Sequence, residues 1–152
     1  MIKKNKYKII IICTVLIGTI FAAQLNKQPK DPFISKLFSC INATRKAAGI
    51  KSLKYGGELE VAAQAKAFDM EKYNYFAHTD DKTNHAAWDF LPENKKNSLV
   101  AENLSKGYRT TTEVCGAWRK SKTHREQILN PKLKYTGIFR TENDIVVQFL
   151  SN

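Results

Sequence analysis

The spacing of apolar residues predicts two long helices in the first half of the chain. From Pro32 to about residue 48, apolar side chains recur every three or four positions, the period of one helix face. Asp31 before Pro32 is typical of an N-cap followed by a first turn, and Gly49 ends the pattern. A second stripe runs from Glu58 to Tyr73, and its small alanines would let this helix lie close to a sheet.

Capping patterns predict shorter helices in the second half. Thr110-Thr-Thr-Glu113 and Thr123-His-Arg-Glu126 are capping boxes, in which a hydroxyl and a carboxylate bind each other's end-of-helix amides. They predict a third helix and a shorter fourth helix that ends before Pro131. Thr83-Asn84 can cap a short helix over residues 85–91.

Alternating apolar residues predict three strands, two of which follow the last predicted helix. The strand segments are 99–104, 135–141 and 145–150, with a polar turn at 142–144 between the last two. Because the helices come first and the hairpin last, the order indicates an α+β fold. The segment 33–152 has enough residues for one hydrophobic core, so we expect a single domain and a monomer.

The N-terminus has the layout of an export signal. Four lysines precede an uncharged apolar run from Ile9 to Ala23, and this run is shorter than the about 20 residues of a membrane-spanning helix. We therefore predict a signal peptide over 1–22, a linker over 23–32 and a location outside the cytoplasm, secreted or in the cell envelope. Bulky Ile20 and Phe21 fit a cleavage site poorly, so an uncleaved membrane anchor remains an alternative.

The net charge indicates the class of partner, and the cysteines leave one disulfide as an open question. The formal net charge is +11, and a basic surface favours anionic envelope polymers or lipids. We expect no nucleic-acid partner, because the chain lacks an array of aromatic and basic residues for stacking bases. Cys40 and Cys115 both fall on apolar helix faces, and the sequence leaves open whether they form a disulfide or remain two buried thiols.

Short polar motifs fall at the ends of the predicted elements, in a fixed order along the chain. Each is weak alone. They are Asn42-Ala-Thr-Arg45, Phe76-Ala-His78-Thr79, Ala101-Glu102-Asn103, Trp118-Arg-Lys-Ser121, Thr123-His124-Arg125 and Val147-Gln148-Phe149.

Taken together, these motifs resemble the bacterial branch of the CAP superfamily, which contains cysteine-rich secretory proteins, antigen 5 and plant pathogenesis-related proteins. The resemblance covers residues 33–152. It implies a three-layer α/β/α sandwich with a small antiparallel sheet. It also implies a cleft with two histidines and two glutamates, in which the histidines of many eukaryotic members hold a divalent metal.

Carried over by motif, the cleft residues are His78, Glu102 and His124, with Ser121 where the second glutamate would stand. Two imidazoles and a carboxylate can form an open zinc site. Alternatively, Glu102 only hydrogen-bonds a histidine and fixes its orientation. Because Ser121 removes one carboxylate, we predict at most weak zinc binding, by His78 and His124.

Three functions remain open from the sequence. We favour a non-enzymatic binding module whose cleft takes an anionic or amphipathic ligand. The second is a hydrolase, either metal-assisted through His78, Glu102 and His124 or nucleophilic through Ser121, although no G-x-S-x-G elbow surrounds that serine. The third is a structural or protein-interaction domain with a vestigial cleft.

The remaining motif residues are expected to be structural. We place Trp118 in the core beneath the third helix and His85 in a solvated loop. Polar residues that should satisfy buried backbone groups are Asn42, Arg45, Asn103 and Arg125.

Overall fold

A computed structural model describes residues 28–152, so the predicted signal over 1–22 lies outside the described part. Its helices and strands are interspersed along the chain, and two short 3₁₀ helices, Ala87–Phe90 and Glu93–Lys95, precede the second strand. The helices are α1 (Pro32–Ala47), α2 (Gly57–Lys72), α3 (Thr111–Lys120) and α4 (Lys122–Ile128). The strands are β1 (Lys54–Tyr55), β2 (Val100–Lys106), β3 (Tyr135–Arg140) and β4 (Ile145–Ser151).

The four strands form one sheet in the order β1-β3-β4-β2. β3 and β4 form the predicted antiparallel hairpin, β2 pairs antiparallel with β4, and β1 adds a two-residue parallel pairing to β3 that the sequence pattern did not reveal. All seven residues of β4 are buried. β2 is an edge strand, because β4 is its one neighbour within the described sheet.

Helices cover both faces of the sheet, which confirms the three-layer sandwich. One hydrophobic cluster joins α1, α3 and α4 to one face, and a second joins α2 and the first 3₁₀ helix to the other. Side chains of a strand alternate between faces. Along β2, Ala101 therefore packs with the first cluster, while Leu104 packs with the second.

The local signals for the first three helices are confirmed. Asp31 caps α1 through a hydrogen bond from Ile34 N to its Oδ1 at 2.9 Å. Both bonds of the capping box between Thr110 and Glu113 are present at the start of α3. The predicted apolar stripe of α2 is buried at Leu59, Ala62, Ala63, Ala67 and Met70.

Two helix starts were predicted wrongly. α4 begins at Lys122, before the predicted cap at Thr123. Ser121 is the one residue between the two helices, serving as the C-cap of α3 and the N-cap of α4, and its side chain makes no capping hydrogen bond. The helix predicted over 85–91 is a 3₁₀ helix from Ala87 to Phe90. Its first residues are extended instead, because they pair with the chain that follows His78.

Residues 28–32, the part of the predicted linker that the structure describes, are not all exposed as expected. Pro29, in a segment expected to bury nothing, is buried. The domain therefore begins to pack a few residues before residue 33.

Cys40 and Cys115 form a disulfide, which settles the alternative that the sequence left open. Their Cα atoms lie 6.5 Å apart, within the range that a disulfide spans. The bond ties α1 to α3 beside the first hydrophobic cluster.

Of the predicted structural polar residues, Arg45 and Asn103 are buried, Asn42 is half-buried, and the Oδ1 atom of Asn103 has no hydrogen-bond partner in the described chain. Arg45 donates to four carbonyls, one in the loop after α1 and three at the end of α4 and in the loop that follows it, and Asn42 exchanges two hydrogen bonds with the main chain of Leu53. Asn103 donates to Gln148 at 2.9 Å. Arg125 was predicted wrongly, since it lies exposed on α4.

Candidate functional site

Glu102 and His78 are in direct contact at the edge of the sheet. Glu102 lies in the middle of β2 and points to the α2 side, where the loop after α2 carries His78. Glu102 Oε2 lies 2.6 Å from His78 Nδ1. The Glu102 side chain is 1% exposed and that of His78 is 60% exposed, so a buried carboxylate orients an accessible imidazole.

The second oxygen of Glu102 is unsatisfied. Oε1 is buried and has no hydrogen-bond partner within residues 28–152. Buried polar atoms are nearly always hydrogen-bonded, because losing water without replacement costs about 1–3 kcal/mol. Oε1 therefore has a lone pair free for a further donor, such as a buried water molecule or a group of a ligand.

His124 lies on α4, close enough to His78 for the charge of His78 to affect its pKa. It is half-buried, and its ring centroid lies 6.2 Å from that of Trp118. Burial, together with the positive charge of His78, lowers the pKa of His124. No hydrogen bond links His124 to the pair in the described chain, and no cluster of three His, Cys, Asp or Glu residues suited to a metal occurs within residues 28–152.

The pKa values of His78 and His124 should be shifted in opposite directions from the ordinary value of 6.5. The hydrogen bond to Glu102 raises the pKa of His78, whereas burial lowers that of His124. The stabilising contribution of protonated His78 is thus present below pH 6.5 and is lost as pH rises through its folded pKa. Imidazole NMR titration should show His78 above 6.5 and His124 below it, and Glu102→Gln should lower the His78 value. Coincident titration of the two rings would contradict this assignment.

The sequence analysis missed Lys66, which is 0% exposed within α2. Its Nζ donates to Tyr75 Oη at 2.9 Å and to the carbonyl of His78 at 3.2 Å, and it lies over the Tyr75 and Phe90 rings. Burial lowers the Lys66 pKa, and the charge of Glu102 acts in the opposite direction. Lys66 therefore holds the His78 main chain against α2. The available signal was a lysine within the alanine stripe of that helix.

His85 lies in a loop as predicted, with its side chain 42% exposed, but specific contacts also anchor it there. Its Nδ1 lies 2.9 Å from Asp69 Oδ1, and its ring meets Tyr73 and Phe90 edge-on. Asp69 also accepts a hydrogen bond from the Tyr75 hydroxyl through its other oxygen. These contacts fasten the loop that carries His78 at a second point, which a reading of local sequence could not detect.

Ser121 lies at the joint of α3 and α4. Its Oγ is 3.2 Å from Thr123 Oγ1, and no hydrogen bond joins it to His124 within the described residues. A serine nucleophile needs a base within hydrogen-bond reach. Trp118 is fully buried as predicted, and its Nε1 donates to the carbonyl of Leu104 on β2 at 3.1 Å.

Comparison with known proteins now places this fold. Residues 38–148 match the profile of the cysteine-rich secretory protein family, CAP. The chain belongs to the CAP family. This CAP domain is 34% identical over 109 residues to the uncharacterized protein YkwD of Bacillus subtilis, an alignment that covers 71% of the chain and 42% of the relative. The chain thus spans less than half the length of that relative.

Solved structures share the fold at lower identity. An outer surface protein from Borrelia burgdorferi matches with a TM-score of 0.72 and 23% identity, covering 84% of this chain and 97% of that one. An extracellular protein with an SCP domain from Bacillus anthracis matches with a TM-score of 0.70 and 20% identity, covering 83% and 45%. Within residues 28–152, no helix has the length and apolarity needed to cross a membrane.

Proposed function

We propose that this CAP domain is a non-enzymatic binding module outside the cytoplasm. Its cleft would take a ligand that donates a hydrogen bond to Glu102 and presents an anionic or polar group to His78. The observation that carries the proposal is the buried, unpartnered Oε1 of Glu102 beside an exposed imidazole. Export rests on the signal pattern of residues 1–22 and on the extracellular and outer surface locations named for two structural neighbours.

The His78–Glu102 pair favours a ligand that carries both an anionic oxygen and a hydrogen-bond donor. Protonated His78 is accessible and would attract an anionic oxygen, while the buried carboxylate of Glu102 requires a donor. Lys66 adds a buried amine to the site, and the charge of Glu102 opposes the lowering of the Lys66 pKa by burial. An amphipathic envelope component or an anionic polymer carrying hydroxyl or amine groups meets these requirements.

A divalent metal fits this donor set only weakly. Glu102 already binds His78 Nδ1, as an outer-shell carboxylate does when it orients a metal-binding histidine. The remaining ring nitrogen of His78 and a nitrogen of His124 would be the direct ligands, one fewer than in an open zinc site. A bound zinc ion would supply a Lewis-acidic position for an oxygen of the ligand.

Hydrolysis receives no comparable support. Ser121 contacts Thr123 and has no hydrogen bond to a histidine in the described chain, so the nucleophile lacks an oriented base. A vestigial cleft would predict that changing His78 or Glu102 affects stability alone.

Zinc titration of the purified protein tests the cleft. We expect weak binding that His78→Ala and His124→Ala abolish and that Ser121→Glu strengthens about tenfold, because a new carboxylate adds negative charge and a further oxygen donor. Affinity should fall as pH falls through the raised pKa of His78, since an imidazole must lose its proton to ligate.

Ser52→Glu is the matched control for the added charge, because Ser52 is exposed in the segment between α1 and β1 and belongs to neither α3 nor α4. It should leave zinc affinity unchanged. The same variants are then screened against anionic phospholipid vesicles and envelope glycans. Wild-type zinc affinity in both histidine variants, together with unchanged ligand binding, would refute the proposed cleft.

A further inference from the structure

The outer edge of β2 presents main-chain groups that no strand covers within the described sheet. In an antiparallel ladder, alternate residues bond to the neighbouring strand and those between them point outward. Asn152 N donates to the carbonyl of Leu99, so residues 99, 101, 103 and 105 face β4, whereas 100, 102 and 104 face away. The bond from Trp118 to the Leu104 carbonyl gives the same outward direction.

Two of these outward residues remain open. Trp118 occupies the carbonyl of Leu104, but the main-chain groups of Val100 and Glu102 have no hydrogen-bond partner in the part of the chain that the structure describes. An N–H and a C=O at every second residue form a template for another strand. Val100 is half-buried. Glu102 is 7% exposed while its side chain is 1% exposed, so the small exposure that remains at Glu102 lies mainly on its main chain.

A pocket of about 260 Å³ with both apolar and polar walls lies at the start of the same edge. Drug-sized ligands occupy pockets of about 300–1,000 Å³, so this one suits a single large side chain. Two of its residues are large apolar side chains left exposed, Trp88 at 52% and Leu99 at 43%. The pocket is lined by Trp88, Leu91, Lys96, Ser98, Leu99 and Val100.

The pocket and the cleft have the spacing of an extended chain. Val100 and Glu102 point to one face of β2, about 7 Å apart along a strand. Side chains two residues apart in a second strand have the same spacing. One of them would enter the pocket beside Val100, and the other would lie beside Glu102, whose Oε1 it reaches when the side chains that bury this oxygen move aside.

We propose that the edge of β2 binds an extended peptide as an added strand. The peptide main chain pairs with Val100 and Glu102, one apolar side chain fills the pocket, and the side chain two positions away donates to Glu102. This inference rests on the proposed function, because it gives the cleft ligand a chemical class.

The contacts favour a peptide over an acyl chain or a glycan. An acyl chain would fill the pocket but leave the main-chain groups of Val100 and Glu102 unpaired. An anionic head group is not required at the rim, because Lys96 already pairs with Glu93 at 2.8 Å. A glycan hydroxyl could reach Glu102, but alternating N–H and C=O groups match a peptide backbone best.

The probe is the blocked peptide acetyl-Thr-Leu-Thr-Lys-Thr-amide, titrated into isotope-labelled protein. We expect the backbone amide signals of Val100 and Glu102 to shift on binding. The control peptide carries N-methyl groups on its leucine and lysine nitrogens, which removes the strand bonds and keeps both side chains. It should bind at least about tenfold more weakly, since about 1.4 kcal/mol corresponds to that factor.

Trp88→Ala should weaken binding of the unmodified peptide about tenfold, because it removes a wall of the pocket. Phe68→Ala is the matched control, since Phe68 is 49% exposed on α2, where it packs against Phe139 instead of the pocket. It should leave binding unchanged. Both side chains are about half exposed, and circular dichroism checks that both variants fold.

Equal binding of the two peptides, or amide shifts that avoid Val100 and Glu102, would overturn the inference. So would a fatty acid or an envelope glycan that perturbs the pocket when the peptide does not. If the peptide fails while zinc still responds to His78→Ala, the peptide inference alone falls. If the peptide binds as expected while His78→Ala and His124→Ala leave zinc affinity unchanged, the fault lies with the proposed metal-binding histidines.

Discussion

Gly137→Ala should destabilise the domain by about 4 kcal/mol or more, a loss that only severe core defects produce. Gly137 lies in β3 on the face that packs against α2. A Cβ atom built on it would lie 2.1 Å from Glu60 N and from Leu59 C, both main-chain atoms of α2. Helix backbone cannot yield as a flexible side chain can, so the helix would have to leave the sheet.

The control for this prediction is Gly116→Ala. Gly116 lies within α3, and a Cβ there would meet nothing within 4 Å. Alanine in a helix interior is favoured over glycine by about 0.5–1 kcal/mol, so this variant should be slightly stabilised. Denaturant unfolding of both variants measures the difference. Wild-type stability of Gly137→Ala would mean that α2 and β3 do not approach as closely as described.

Reducing the Cys40–Cys115 disulfide should lower the free energy of unfolding by about 4 kcal/mol. The bond joins residues 75 positions apart, and in the chain-entropy model a loop of this length restricts the unfolded chain by that amount. For a domain of this size the melting temperature should fall by roughly 15 °C. Thermal unfolding with and without a reductant provides the measurement.

The double variant Cys40→Ala/Cys115→Ala separates the bond from side effects of the reductant. It should melt near the reduced wild type, and adding reductant should not change it further. Cys115 is fully buried, so a small additional loss from its missing sulfur is expected. Two free thiols in the denatured, unreduced protein would contradict the disulfide.

Local patterns in the sequence were sufficient for the main elements. The period of apolar residues located α1 and α2, because each helix must bury one face whatever covers it. A cap is built from residues within one turn, so Thr110 and Glu113 identified the start of α3. The ordered motifs led to the CAP fold, and they named both members of the His78–Glu102 pair.

Features that depend on distant segments were decided by the tertiary structure. β1 is a strand because Lys54 and Tyr55 pair with β3, far along the chain, and two residues alone carry no periodic pattern. The sequence allowed a disulfide between Cys40 and Cys115, but its formation required α1 and α3 to approach. No sequence pattern distinguishes Gly137 from its neighbours in β3. The need for glycine there comes from the close approach of α2.

At the candidate site, too, the sequence predicted some residues, and the tertiary structure decided their surroundings. Motifs could name His78 and Glu102, but not the burial that leaves Glu102 Oε1 without a donor in the described chain. Lys66 and His85 matched no motif, since their roles come from contacts with Tyr75 and Asp69 after the loop folds back on α2. A sequence records which groups are present along the chain, whereas desolvation and hydrogen bonding depend on what surrounds each group once the layers have packed.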